Sequence, residues 1–247
     1  MDLTGDPSGP PMLTGVPFGD MGASEHGYGL IMKALYKRAV TGEGSRIDLS
    51  MFESTVSWLT VPITLTCTFG YTIRRHGNTH EFFAPVSVFE TKDGHVYLAV
   101  GNDRQWESLV SLPPFSCLAK PEYARNAGRI ADVAKLNQAI NEITRTFTTA
   151  ELVALLQQAQ VPVAPVKTVA QVVEDPLVKS KLLRSYDKKT GGELILAPPP
   201  YTTPYLEENQ RTLSFPPRFG EHNEEIYGGV LGFDHETLEA LRKEQII

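Results

Sequence analysis

The first 70 residues contain more helix than their single short strand can cover, and this imbalance most constrains the fold. Apolar residues at three- and four-residue spacing predict a long helix over residues 21–40, closed by Gly42. Ser50 and Glu53 form a capping-box pattern for a second helix that reaches about residue 67, with a kink expected at Pro62. Only residues 46–49 alternate like a strand. One strand cannot bury two helices, so this is α/β structure without most of its sheet.

A different pattern follows from residue 71. Asp93 and Gly94 separate two alternating apolar runs, which is a strong hairpin signal. Several short helices come next, and one of them opens with a capping box from Thr148 to Glu151. Prolines keep residues 161–166 extended. These features predict a compact α+β domain over residues 71–187.

The helix predicted over residues 130–147 is amphipathic and is typical of ordinary packing. Its pattern places Arg129, Lys135 and Arg145 on a solvated face. The remaining chain, residues 188–247, is rich in prolines that favour extended surface structure, and it ends in short helices predicted over 222–230 and 235–243.

Charge and cysteine usage exclude several classes of function. The formal net charge is −6 and no basic cluster is present, so nucleic acid is not an expected partner. Cys67 and Cys117 have no metal-ligand spacing, which favours reduced thiols in the cytoplasm. The most apolar stretch, residues 56–69, is too short and too polar for a membrane span.

One carboxylate stands out chemically. Asp20 follows a short apolar run, is flanked by glycine, and stands at the predicted start of the long helix. A helix start offers unpaired amides and a positive dipole end, which favour an ionised carboxylate that could act as a nucleophile. The pattern by itself favours the simpler alternative that Asp20 is only the N-cap.

The neighbouring residues give weaker signals. Gly22 and Gly27 match the glycines of a P-loop, but Tyr28 and Gly29 stand where lysine and a hydroxyl residue are required. Adjacent residues on a helix point in different directions, so Glu25 and the histidine after it are not a catalytic dyad by position. Glu25 is expected to be a solvated or packing carboxylate.

A metal site is not expected. His76 and His80 have the spacing of a helical zinc pair, but Gly77 and Asn78 between them argue against a helix, and no third ligand is apparent.

The chain resembles the class III CoA-transferase family, the group of formyl-CoA and carnitine CoA-transferases. The resemblance rests on motifs in order: TGDPSGPP at 4–11, VPFGD at 16–20, ALYKR at 34–38, TGEGS at 41–45, DLSMFE at 48–53, RHGN at 75–78, VPVAPV at 161–166 and GEHN at 220–223. Ser45 replaces a commoner glutamine, and Phe219 replaces a leucine. No single motif is specific, but their order and spacing together are.

The resemblance implies a fold and a division of the chain. The fold is α/β, with part of a Rossmann-like large domain and a smaller α+β domain. Residues 1–70 would be the nucleophile-bearing remainder of the large domain, 71–187 the small domain, and 188–247 a segment returning to the large domain. Because family subunits are longer, Met1 is interpreted as an internal methionine.

The resemblance also implies a ping-pong acyl transfer. Asp20 falls on the catalytic aspartate, and Gly22, Met51, Gly77 and Asn78 would contact substrate or CoA. CoA is then a substrate, and no tightly bound cofactor or metal is implied. The exchanged acids are expected to be small carboxylates such as succinate, malate, mesaconate or itaconate.

Two alternatives stay open. An α-methylacyl-CoA racemase would use a histidine expected upstream of Met1. The chain could also be a truncated or split subunit that is inactive alone. The expected partner is a second copy in an interlocked homodimer, or a missing N-terminal part.

Overall fold

A computed structural model describes residues 1–247 and divides them into two compact units, Met1–Val166 and Lys167–Ile247. The boundary between the two units lies after residue 166. The domain limits predicted at residues 70 and 187 stay a prediction. Helices and small sheets occur in both units.

The first unit begins with three helices and continues as a hairpin surrounded by helices. Its elements are α1 Phe18–Thr41, α2 Met51–Ser57, α3 Thr60–Phe69, β1 Val86–Glu90, β2 His95–Ala99, α4 Asp103–Val110, α5 Asn126–Ala131, α6 Val133–Thr144, α7 Thr149–Gln158 and β3 Val163–Pro165. The strands form one antiparallel sheet in the order β1-β2-β3. The hairpin register pairs Val86 with Ala99 and Glu90 with His95, as the Asp93–Gly94 signal predicts.

The core of the first unit lies between this sheet and helices α4, α6 and α7. Its fully or almost fully buried side chains include Phe89, Val96, Leu98, Trp106, Leu109, Phe115, Leu136, Ile140, Leu152 and Leu156. By contrast, only Gly22, Ser54 and Ile73 are buried among residues 1–83. The three helices at the start are thus short of cover, as the helix-to-strand imbalance predicts.

Two local predictions for this region are wrong, and a third is confirmed only in part. Residues 46–49 form no strand, because no other strand is present to pair with them. The helix after Ser50 breaks at Trp58, since Pro62 has no N–H to donate to the Trp58 carbonyl. The cap from Ser50 to the Glu53 amide is confirmed at 3.3 Å, without the reciprocal bond of a capping box.

Arg129 is buried and not on a solvated face. Its guanidinium donates to the Ala84 carbonyl at 2.7 Å, to the Tyr123 carbonyl at 2.8 Å and to Asp103 Oδ1 at 2.8 Å. It also lies 5.1 Å from the centre of the Trp106 ring. Helical periodicity was misleading here because Arg129 belongs to α5, a separate short helix before α6.

The second unit is built on a smaller sheet. Its elements are α8 Val169–Glu174, α9 Pro176–Lys179, β4 Leu183–Tyr186, β5 Glu193–Leu196, α10 Pro204–Glu208, β6 Thr212–Leu213, a π-helix Glu224–Val230 and α11 His235–Lys243. Strand β4 is central, antiparallel to β5 and parallel to β6. No helix in either unit is long and apolar enough to cross a membrane.

Candidate active site

Asp20 lies in the first turn of α1, but it does not cap the helix. The helix begins at Phe18 with Pro17 at the N-cap position, and no side chain caps it. The predicted N-cap for Asp20 is therefore wrong, since the helix starts two residues earlier. Asp20 is exposed, and its carboxylate has no hydrogen-bond partner.

Two backbone amides at this helix start are unpaired. The Phe18 amide donates to the Val16 carbonyl at 2.8 Å, and the Met21 amide donates to the Pro17 carbonyl at 3.0 Å. The amides of Gly19 and Asp20 lie between them without an acceptor within the first turn. Together with the helix dipole, these two amides favour negative charge beside the Asp20 side chain.

Gly22 is the only buried residue of α1. A Cβ atom built there would lie 3.6 Å from Trp58 Cζ2 and 3.9 Å from Ser54 Oγ, both on or next to α2. Gly22 therefore packs between two helices, and its amide lies in the bonded part of α1. The nearest free donors are those of Gly19 and Asp20 and not the Gly22 amide.

Met51 lies at the start of α2 and close to the same turn. Its Cε atom is 3.9 Å from the position of a Cβ atom built on Gly19, the residue before Asp20. Met51 is about half exposed, at 51%. The structure thus brings Met51 and Gly22 to the helix turn that carries Asp20.

Gly77 and Asn78 belong to a different cluster. The Gly77 amide donates to the Gly5 carbonyl at 3.0 Å, and Arg75 donates to Asp2 Oδ1 at 2.7 Å and to the Gly9 carbonyl at 3.1 Å. These bonds join the RHGN loop to the TGDPSGPP turn around a cleft of about 440 Å³ that Asn78 lines. No hydrogen bond connects this loop to Asp20.

His26 and Trp58 form a contact between α1 and the end of α2 that the sequence did not suggest. Trp58 Nε1 donates to His26 Nε2 at 2.8 Å, and Ser57 Oγ lies 3.1 Å from the same nitrogen. The Phe18 ring meets the Trp58 ring edge to face, with centroids 4.6 Å apart. The only signal in the sequence was an indole N–H near a helix end, which needs an acceptor wherever it packs.

Glu25 is exposed, and no pairing joins it to His26. The other two histidines of interest bond to separate backbone groups: His76 Nδ1 to the Arg74 carbonyl at 2.8 Å, and His80 Nδ1 to the Phe82 amide at 3.0 Å. No group of three His, Cys, Asp or Glu side chains is arranged to hold a metal ion.

Comparison with known proteins adds independent information. The profile of CoA-transferase family III matches residues 1–223. A succinate–glutarate CoA-transferase of Agrobacterium fabrum is 29% identical over 230 residues, covering 92% of this chain and 56% of that protein. A succinyl-CoA:mesaconate CoA-transferase of Haloarcula hispanica is 32% identical over 196 residues, covering 79% of this chain and 49% of that protein.

The fold has counterparts among solved structures. A CaiB/BaiF family protein from Brucella suis aligns with a TM-score of 0.73 and 29% identity, covering 93% of this chain and 60% of that one. Rv3272 from Mycobacterium tuberculosis, 20% identical with a TM-score of 0.68, shows the same fold. These matches confirm the predicted α/β class. The chain spans roughly half to two thirds of the length of its relatives, from 49% to 64%.

Proposed function

Because the chain belongs to CoA-transferase family III, we propose that it moves CoA from an acyl-CoA donor to a carboxylate acceptor, with Asp20 as nucleophile. The observation that carries this proposal is the exposed, unpartnered Asp20 carboxylate beside the free amides of the first turn of α1. An ionised, accessible carboxylate is what attack on a thioester requires.

The reaction then proceeds through two exchanges at Asp20. Its carboxylate attacks the thioester carbonyl, the carbon–sulfur bond breaks, and CoA thiolate leaves a mixed anhydride behind. The thiolate attacks the aspartyl carbonyl, releases the donor acid and forms an enzyme–CoA thioester. The acceptor carboxylate displaces CoA to give a second anhydride, and the thiolate attacks its acyl carbonyl to release the new acyl-CoA and free Asp20.

The local environment supports this chemistry in one respect and leaves a second requirement to other groups. The unpaired Gly19 and Asp20 amides and the helix dipole favour negative charge beside the Asp20 carboxylate, which supports the proposed chemistry. Anhydrides and thioesters must also be protected from water, and Asp20 is exposed. Bound acyl-CoA or another protein segment would therefore have to cover this turn.

For the substrates, we favour small dicarboxylic acids. The relatives from Agrobacterium and Haloarcula are named for succinate, glutarate and mesaconate, and a Streptomyces coelicolor relative is named for formyl-CoA and oxalate. CoA would act as substrate and not as a bound cofactor. Contacts from Gly22, Met51, Gly77 and Asn78 stay predictions, as does a cytoplasmic location. Met51 has the best support, because its side chain lies beside Gly19.

The partner that we propose is a second copy of the chain. Exposed apolar side chains run along α1 and its surroundings, including Ile31 at 52%, Leu35 at 41% and Phe52 at 77%. An apolar surface of this kind is typical of a protein–protein interface.

The decisive variants are Asp20→Asn and Glu25→Gln. Both carboxylates are exposed on α1, so they form a matched pair. The native protein is incubated with succinyl-CoA and a panel of acceptors, and products and protein adducts are followed by mass spectrometry. We expect Asp20→Asn to lose at least about 1,000-fold in rate together with the adduct, and Glu25→Gln to keep both.

Two results would contradict the proposal. One is a fully active Asp20→Asn variant. The other is exchange of the α-proton of an acyl-CoA with solvent in the absence of any adduct on Asp20, which would favour the racemase alternative.

A further inference from the structure

The first turn of α1 has little of its own to hold it in place. It lacks a side-chain cap, and its Gly19 and Asp20 amides are unpaired. Position 19 is a glycine, the amino acid with the greatest backbone freedom. A nucleophile on such a turn would sample many positions, whereas attack on a carbonyl requires a narrow range of distance and angle. Contacts from outside the turn therefore bear on the position of Asp20.

Thr55 and Met51 lie beside Gly19. A third side chain, that of Trp58, contacts the helix on either side of Asp20 in sequence. The Trp58 ring meets Phe18, the first residue of α1, at 4.6 Å between centroids and an interplanar angle of 88°. The same ring faces Gly22, one turn further along the helix. Trp58 thus touches α1 on both sides of Asp20 in sequence. The orientation of the indole therefore bears on the turn that carries the carboxylate.

The orientation of the indole depends in turn on His26. The Trp58 N–H donates to His26 Nε2 at 2.8 Å, which requires an unprotonated Nε2 and places the imidazole proton on Nδ1. Ser57 lies 3.1 Å from Nε2, but its hydroxyl proton is donated to the Ser54 carbonyl at 2.7 Å. Trp58 is consequently the donor that satisfies this nitrogen.

We propose that Trp58, held by the His26 acceptor, is a positioning residue that sets Asp20 for attack on the thioester. This inference rests on the proposed function, because it assigns Trp58 and His26 their importance through the nucleophile. Neither residue needs to touch the substrate. Their contribution is to restrict the motion of the first turn of α1.

The hydrogen bond can be tested without any activity. The protein contains two tryptophans, so its NMR spectrum contains two indole N–H signals. The signal that disappears in Trp58→Phe is that of Trp58. His26→Leu removes the acceptor, and His26→Gln supplies an amide oxygen in its place. We expect the Trp58 indole proton to move upfield in His26→Leu and to return toward its original position in His26→Gln. An unchanged resonance in His26→Leu would overturn the contact itself.

The positioning effect is tested by the rate of covalent adduct formation on Asp20 at saturating acyl-CoA, in the native protein. Trp58→Phe and His26→Leu are expected to lower this rate by about tenfold with little change in the apparent KM. His26→Gln is expected to recover most of the loss. His80→Leu serves as the control, since His80 bonds only to the Phe82 amide in this region.

The outcomes separate the two proposals. If the native protein forms no adduct on Asp20, the proposed function fails and this inference fails with it. If the adduct forms and all three variants react at the native rate, the nucleophile stands and the positioning inference is overturned. A loss that His26→Gln does not recover, while the indole signal does recover, would also overturn it.

Discussion

At the scale of single residues, the Asp103–Arg129 pair shows how burial changes the importance of a charge. Arg129 is fully buried and bonds to two carbonyls and to Asp103. Arg125 binds the same carboxylate, but its side chain is 85% exposed. The pKa of Asp103 is lowered, first by the hydrogen bond from Arg129 and then by that from Arg125.

We therefore expect substitutions of these two arginines to lower the free energy of unfolding by different amounts. Arg129→Ala leaves the Ala84 and Tyr123 carbonyls without their buried donor and removes one of the donors to Asp103. We expect it to lower the free energy of unfolding by about 3 kcal/mol or more. Arg125→Ala removes only an exposed ion pair and should cost less than about 1 kcal/mol. Urea denaturation of both variants measures the difference, and equal costs would contradict it.

The residue scale also shows what could not be read from the chain. Asp20 stands out in the sequence because a glycine-flanked acid at a helix start is a local pattern, but its role as nucleophile comes from the family resemblance and stays a proposal. The contact between His26 on α1 and Trp58 at the end of α2 could not be predicted from the sequence, because the two residues are separated by 32 positions. Arg129 was placed on the wrong face because periodicity gives the phase of a helix but not its limits.

At the scale of elements, local turn chemistry was predictive and strand pairing was not. The Asp93–Gly94 hairpin and the Thr148 capping box are both confirmed, since their determinants lie within a few residues of each other. The strand expected at residues 46–49 was wrong because a strand exists only with a partner. Alternation in the sequence contains no information about whether that partner is present.

The turn between β4 and β5 depends on one carboxylate. Asp187 is buried and accepts hydrogen bonds from the Thr190 hydroxyl, from the Lys189 amide at 3.0 Å and from Arg218 at 2.7 Å. These bonds, with that from Thr190 the largest cause, lower the pKa of Asp187 from 3.8 to about 2. The folded unit thus prefers the ionised form more strongly than the unfolded chain does.

This shift predicts the direction of a pH effect. A carboxyl whose pKa is lowered on folding stabilises the folded state fully above its unfolded value of 3.8, and that contribution is lost as the pH falls toward about 2. We expect the thermal midpoint of the second unit to fall over this interval, and Asp187→Asn to be less stable at neutral pH with a shallower decline. Parallel pH profiles for the two proteins would contradict the assignment.

At the scale of the whole molecule, the distribution of burial is uneven. The core lies around β1, β2 and helices α4, α6 and α7, whereas the helices nearest Asp20 expose apolar side chains. The sequence indicated this shortage of cover through its excess of helix over strand. It could not identify what covers the surface, because complementarity between surfaces is not a local property of the chain.

Association in solution tests the proposed second copy. Size-exclusion chromatography with light scattering should give the mass of a dimer for the native protein at micromolar concentration. The reason is that burying the α1 face removes apolar surface from water. A charge at Leu35, in Leu35→Glu, should shift the equilibrium toward monomer, whereas Lys37→Glu on the same helix should not. A monomeric native protein would contradict the proposal, and association unaffected by Leu35→Glu would exclude this face.

The proposed reaction leaves an isotopic record on Asp20, and that record is the most direct measurement. In one turnover with an ¹⁸O-labelled acceptor acid, attack on the enzyme–CoA thioester and collapse of the second anhydride leave one acceptor oxygen on the aspartate. Mass spectrometry of the peptide containing Asp20 should therefore show a gain of about 2 Da, and the corresponding peptide of Glu25→Gln should show the same gain. Transfer of CoA with no label on Asp20 would contradict the assignment of the nucleophile.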